Sequence, residues 1–437
     1  MNTRFKLMSI MGAESLFDGN PTQAEVTQSL QTHIIDNVFG GTQEKVIDNE
    51  PNIEANPEAV ELQTHIELAG ATTDLEESDK LVREFIKQEE QQQAALEDLE
   101  VAVSGIESLF KGEFDPNAYR VMMKHATRCA NRAGVELPIS VDGMESMSSA
   151  NLYLNVRQGM EGFLDSVKQG AKDAKAFFIK LYNLLIDMVR DKFNEVRSAT
   201  KAYQTMLDTM KDYDGEIAED FVVAKWYEST QHRNQERDHA KAAPGVTQSM
   251  LSAASDLDIK AFAQGDLRDA EVAIRSPFQY SFKSSAIEVE KKDGMTTGRF
   301  TLGKYLFDFG FKDFQPNTEE ELKEFVTKTF FKVGTFFSSE PKVGDRLPAA
   351  FRSKQDIINL LETNLAWCKF IDRFTKKHQD DLKRERDFVI AGLASKDGLA
   401  RDPRPLVRLK QQILSSMFKA HTDVMRSDLL LIKAHLS

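Results

Sequence analysis

The stretch Ala174–Met210, AKAFFIKLYNLLIDMVRDKFNEVRSATKAYQTMLDTM, decides the fold. Phe178, Leu181, Leu185, Met188, Val196, Ala199, Tyr203, Met206 and Met210 recur mostly at three- and four-residue steps, which puts them on one face of an α-helix. The spacing extends back through Phe163, Val167 and Ala171, so the pattern runs from about Ser148 to Tyr213. A helix of about 60 residues would be roughly 90 Å long at 1.5 Å per residue, and a bend or break near Gly170 is expected. Lys168, Lys172, Lys175, Lys180, Arg190, Lys192 and Arg197 alternate with Asp165, Asp173, Asp187, Asp191 and Glu195, which predicts a mixed, solvated surface for the rest of the helix.

Outward from this segment the pattern stays helical. Asp79 to Phe110 pairs a polar face with Leu81, Phe85, Leu96, Leu99 and Val103, and Asn117 to Ala133 follows Pro116 and stops before Gly134. Shorter helices are expected over Glu216 to Thr230 and Thr247 to Phe262, with a polar loop from His232 to Pro244 between them. Residues 276 to 314 change period. Phe278, Tyr280 and Phe282 alternate, Asp293-Gly294 is a hairpin signal, and Phe300, Leu302, Phe307, Phe309 and Phe311 follow, which predicts a small antiparallel sheet. Helices resume over Thr318 to Phe337, with Thr318 as N-cap, and over Ser353 to Leu393; Pro403 and Pro405 open a last one. The fold class is therefore mainly α: a helical bundle with long helices, a small antiparallel β insert and a disordered acidic N-terminal arm. The expected divisions are an arm over 1–75, a helical domain over 76–270, the β insert over 271–315 and a C-terminal helical domain over 316–437.

Composition limits the function. Among 437 residues there are 2 cysteines, too few for a disulfide framework, and the first residues carry no apolar run long enough for an export signal. No stretch reaches about 18 uninterrupted apolar residues, so a conventional transmembrane helix is not expected. The net charge of -13 is unevenly spread. Residues 1–100 hold 21 acidic against 6 basic side chains, whereas 351–437 hold 17 basic against 11 acidic. From about Gly19 to Asp74 the chain buries too little to offset its own ordering entropy, hence the arm.

Catalytic and metal signatures are missing. The eight histidines are scattered; His125 and Cys129 share a helix face, but two ligands do not make a metal site and no CxxC or HExxH completes it. His232 and His239 fall in a polar loop with Glu236, Asp238 and two arginines. There is no GxSxG elbow, and Gly40-Gly41 leads into no phosphate-binding loop. No catalytic residue, metal ligand or cofactor is nominated, and a non-enzymatic role is expected. Two surfaces stand out. Ala174 to Val189 is apolar over more than one face, which suits a central bundle helix or a membrane-active hairpin. Lys376, Lys377, Lys383, Arg384, Arg386, Arg401, Arg404 and Arg408 are candidate contacts to DNA or a partner, diluted by Asp380, Asp381, Glu385 and Asp387.

The arrangement resembles the internal head, or prohead core, proteins of large contractile-tailed bacteriophages. The resemblance rests on the acidic front with MGAESLF (11–17) and IESLF (106–110), on GMEGFLDSVKQGAKDAKAFFIKLYNLLIDMV (159–189), on the β insert, and on the terminal helices around DIINLLETNLAWCKFIDRF (356–374) and PLVRLKQQILSSMFKAHTDV (405–424). It implies a structural protein packed inside the capsid, assembled in the host cytoplasm. Its implied partners are other head proteins, copies of itself, packaged DNA and a prohead protease that trims after a Glu in a small-x-Glu motif. Sites near the front with that pattern end at Glu14, Glu61, Glu97 and Glu107. A cut after Glu61 removes 10 acidic and 3 basic residues; one after Glu107 removes 22 and 6 and leaves the remainder at +3. Glu61 is the more accessible if the arm is flexible, and Glu107 the more useful electrostatically, since like charges oppose close approach to DNA. The alternatives are a membrane-active protein ejected with the genome and a cytosolic helical adaptor.

Overall fold

The structure, a computed structural model, describes residues 57–111, 115–133, 174–231, 239–335, 341–395 and 398–436. The expected arm up to residue 56, the expected helix before Ala174 and residues 232–238 of the expected polar loop lie outside the described residues, and residues 239–244 of that loop are helical. Residues 66–437 make one unit. Helix α1, Pro57–Lys111, opens on a proline, whose missing amide is harmless in a first helical turn. It thus includes residues 57–75, which composition alone assigns to the arm. The reason is tertiary: Leu75 and Val82 are buried, and Leu68, Phe85 and Ile86 pack against the same core. Helix α2, Pro116–Ala133, is capped by Asp115, whose carboxylate accepts from the Asn117 amide at 2.8 Å. Buried Tyr119, Met123, Ala126 and Cys129 of α2 and Ala95, Leu99, Ala102 and Ile106 of α1 are absent from the main apolar cluster. An Arg132–Asp98 ion pair of 2.7 Å ties the two helices together.

Three long helices build the main core. Helix α3, Ala174–Asp212, carries the decisive periodicity and packs along α8, Lys354–Ala394. Helix α8 starts at a reciprocal cap: Ser353 accepts from the Asp356 amide while Asp356 accepts from the Ser353 amide. Helix α9, Arg404–Leu436, is buried on nearly every side, because Leu406, Val407, Lys410, Ile413, Leu414, Met417, His421, Val424, Asp428, Leu431 and His435 point in all radial directions. The apolar face of α3, from Phe178 through Met188 to Met210, is buried in this core, so the Ala174 to Val189 stretch is a bundle segment. No helix among the described residues is long and apolar enough to cross a membrane.

Between α3 and α8 the chain is more varied than its period suggests. Glu216 to Thr230 is not a helix: strand β1, Asp220–Val222, pairs with β6, Arg346–Pro348, and a 3₁₀ turn spans Lys225–Ser229. Its pairing partner lies more than a hundred residues away, so no local pattern announces it. Helices α4, His239–Asp256, and α5, Ile259–Gln264, replace the single helix expected over 247–262, the second being restarted by the Asp258 cap. Residues 276–281 end helix α6, Leu267–Ser281, instead of forming a strand. There the Asp266 cap and buried Ala270, Ala273, Ile274, Pro277 and Phe278 set a helical spacing that overrides the short Phe-x-Tyr-x-Phe alternation.

The sheet runs β2–β3–β4–β5, antiparallel throughout: Glu288–Lys292, Met295–Leu302, Tyr305–Lys312 and Phe330–Thr335. Asp293 and Gly294 both take positive φ, at 51° and 71°, the two-residue turn that matches strand twist. Helix α7, Glu319–Lys328, ends earlier than the expected Phe337, and the apolar residues after it become β5 by pairing Phe331 with Phe309. Edge strand β2 is exposed along its length and carries Glu288, Glu290, Lys291 and Lys292, which discourages pairing with another chain. The inner face is phenylalanine: Phe300 and Phe307 stack at 4.6 Å, and Phe309 touches Phe278 of α6, Phe282 just after it and Phe331 of β5. Gly298 leaves room for those rings, since a Cβ there would sit 2.6 Å from Phe309. Sheet and helices share one apolar cluster. Phe309→Ala should therefore lower stability by about 3–5 kcal/mol in a denaturant titration, with sheet and helix signals moving in one transition.

Candidate functional site

Helix α9 brings polar groups into the core, where each needs a partner. Lys192 of α3, expected on a solvated face, is fully buried, and so is Glu195. The Lys192 Nζ lies 2.6 Å from Glu195 Oε2, 2.8 Å from Thr422 Oγ1, 2.9 Å from His421 Nδ1 and 3.3 Å from the Phe418 carbonyl. Burial lowers the Lys192 pKa against the pull of Glu195, and burial together with Lys192 holds His421 well below the usual imidazole range. One turn on, Tyr203 donates to the Met425 carbonyl at 2.6 Å and accepts from Asn364 at 3.1 Å. Asn364 also donates to Asp428 at 3.1 Å, and Gln231 donates to Asn364 and, through its amide, to Asp428. Burial raises the Asp428 carboxyl to about 7. At the end of α9, His435 donates from Nδ1 to Leu431 and accepts at Nε2 from the Ala350 amide, fixing a neutral tautomer.

Apart from the Lys192–Glu195 and His435–Leu431 contacts within one helix, these polar partnerships are not visible in a single sequence, because α3, α8 and α9 are far apart along it. The two cysteines are buried and free. Burial pushes Cys368 up to about 12, which makes its thiol unreactive, and Cys129 is buried with its Sγ 3.7 Å from His125 Nδ1. No group of three or more metal-ligating side chains is present among the described residues.

The eight candidate cations do not form one face. Lys376 pairs with Asp372 at 3.0 Å, Lys383 with Asp380 at 3.2 Å, and Arg384 with Asp381. Arg386 contacts Asp387 and Asn183 at 3.0 Å each. Arg401 forks onto Glu319 at 2.6 and 2.9 Å and also donates to the Phe262 and Gly265 carbonyls, so it staples the loop before α9 to α5 and α7. Arg404 meets Asp402 at 2.6 Å and Glu89 at 3.8 Å, and Arg408 meets Glu90 at 3.4 Å, which lays the start of α9 against acidic α1. Lys377 is exposed beside an open groove. Of the small-x-Glu sites, Glu61, Glu97 and Glu107 all lie in α1, and Glu14 falls outside the described residues.

The buried network makes two measurable demands. Lys192→Met strands Glu195 in the core and should cost about 3–5 kcal/mol, most of it recovered when Glu195→Leu is added, as read from thermal or denaturant midpoints. Asp428 titrates near 7 in the folded chain and near its ordinary 3.8 when unfolded. The folded state therefore holds the extra proton between those values, and this group's contribution to stability falls as pH rises through that window. Asp428→Asn should flatten that part of the stability profile, measured by denaturation across the same pH range.

No curated protein and no solved structure matches the chain. A family does, over the segment that contains most of α1, all of α2 and α3, and strand β1: residues 70–226 match the phiKZ-like phage internal head proteins, which bears out over that segment the resemblance to internal head proteins of large phages.

Proposed function

We propose that this chain is a structural, non-enzymatic protein packed inside a phage head as part of the prohead core, and that a head protease removes its acidic front by cutting after Glu61. The observation that carries the head assignment is the match of residues 70–226 to phage internal head proteins. Assembly in the host cytoplasm, contact with other head proteins and non-specific contact with packaged DNA follow from that role.

The choice among cleavage sites rests on α1. A protease takes its substrate extended, so a site within a helix must first open locally. Glu61 lies five residues into α1, where the first amides have no intrahelical partner and fraying breaks few bonds. Cuts after Glu97 or Glu107 would detach Leu75 and Val82 from the core together with the half-buried Phe85. Each buried aliphatic side chain is worth about 1.5–3 kcal/mol, so those cuts expose the α3 surface and weaken the body. They would also fall inside the matched segment. Removing residues 1–61 takes a net charge of -7 with it and spares the core. The electrostatic advantage of Glu107 is thus outweighed by packing.

Intact-mass and N-terminal peptide analysis of the protein from purified particles should find a chain that begins at Leu62. A full-length chain, or one beginning at Ser108, would remove the proposed cut, and absence from particles would remove the head role.

A further inference from the structure

Helices α4 and α8 border an open groove of about 730 Å³ whose floor is aromatic, from Trp367, Phe370 and Phe374, and whose rim carries Arg373 and Lys377. Lys369, Arg373 and Lys377 follow one another at four-residue steps, so they form a cationic row along one side of α8. All three are exposed and make no ion pair among the described residues, whereas Lys376, Lys383 and Arg384, equally exposed on the same helix, are ion-paired. Arg373 spends its Nε on the Lys369 carbonyl at 3.2 Å, and Lys377 feels Asp256 only through the field. Helix α1 presents the opposite chemistry. Glu77, Leu81 and Glu84 share one face of that helix; Leu81 is 49% exposed, and Glu84 makes only a 3.8 Å contact with the equally solvated Lys80. Lys80 and Lys87 weaken the field locally, yet residues 57–111 carry 14 acidic against 4 basic side chains.

We propose that the aromatic, cationic groove of one copy receives the Glu77–Leu81–Glu84 face of α1 from a second copy. Leu81 enters between Phe370 and Phe374, and the two carboxylates meet the cationic row. The lengths agree, since Glu77 to Glu84 spans about 10 Å and Lys369 to Lys377 about 12 Å at 1.5 Å per residue. An apolar knob flanked by carboxylates suits this groove better than a nucleic-acid backbone, which offers phosphates but no aliphatic group for the aromatic floor. Because each copy bears both faces, and the two differ, the contact is heterologous and every addition leaves a further face open, as filling a volume requires. Such a contact would serve the head-core role proposed above, on which it depends for its setting. Its existence is read on the purified chain, so either can fail alone.

Sedimentation velocity on the full chain tests it. Self-association should be present at low salt and weaken by about tenfold or more at high salt, because exposed charges are screened within roughly 10 Å at 0.1 M. A variant with Lys369→Glu, Arg373→Glu and Lys377→Glu should sediment as a monomer, and so should one with Glu77→Lys and Glu84→Lys. Mixing the two should restore association, since each supplies a face that complements the other, and this outcome cannot come from misfolding. A wild-type chain that stays monomeric, variants that associate like wild type, or folded variants that do not recombine would overturn the contact. Loss of duplex-DNA retention by the triple variant with self-association unchanged would overturn it in favour of nucleic acid.

Discussion

Burial of α9 on nearly every side is the constraint from which the rest of the structure follows. A helix so enclosed can carry polar residues only where a neighbour supplies a partner, because an unpaired buried donor or charge costs more than a typical contact returns. Each neighbour does so. Helix α3 sends Lys192, paired with Glu195, to His421 and Thr422, α8 sends Asn364 to Asp428 and Glu385 to Lys410, and α1 sends Asp79 to Ser415. The sheet contributes Tyr305, which donates to Asp423 at 2.5 Å, and the β1–β6 region closes around His435 between Phe221 and Phe351. Apolar contact alone would let these helices slide past one another. The polar pairs fix their register, because a shift by one turn would leave several groups unsatisfied at once.

The second organising feature is charge. Along the chain, acid collects at the front and base at the end. Folding sets part of one against part of the other, as Arg404 and Arg408 of α9 lie on Glu89 and Glu90 of α1. Seven of the eight candidate cations of the C-terminal region are held in ion pairs, which contribute little stability individually but offset their charge. Few sites are then left where unpaired charge and exposed apolar surface coincide. The row on α8 is one of them.

Much of the architecture was readable from local pattern. The helices α3, α8 and α9 declare themselves by three- and four-residue spacing, α7 and α8 by Thr318 and Ser353 as caps, and the first hairpin by Asp293-Gly294. The failures are instructive. Phe278, Tyr280 and Phe282 fit a strand and a helix equally well over five residues, and the Asp266 cap with the packing of Phe278 on Phe309 settled the matter. Strand β5 lies where local pattern predicts helix, because Phe331 has no local reason to extend; its reason is Phe309, 22 positions earlier. Residues 57–75 read as too polar to fold, and they are helical because Leu75 and its neighbours reach a core built by segments a hundred and more residues away. In the candidate site the residue types were legible, and their pairing was not. Four-residue spacing does separate Lys376, bound to Asp372, from Lys377, which follows Arg373, but the groove beside Lys377 and the glutamates that hold Arg401, Arg404 and Arg408 come from distant segments.

The sequence by itself determined the helical class, the starts of α2, α7, α8 and α9, the first sheet turn and the uneven charge, because periodicity, caps and turn chemistry act within a few residues of one another. Only the tertiary structure decided that α9 is central, that Lys192 and Glu195 are buried, that α1 covers the core and which cations stay free. Those outcomes depend on contacts between residues as far apart as 192 and 421, whose free energies appear only once the chain has closed on itself and excluded water.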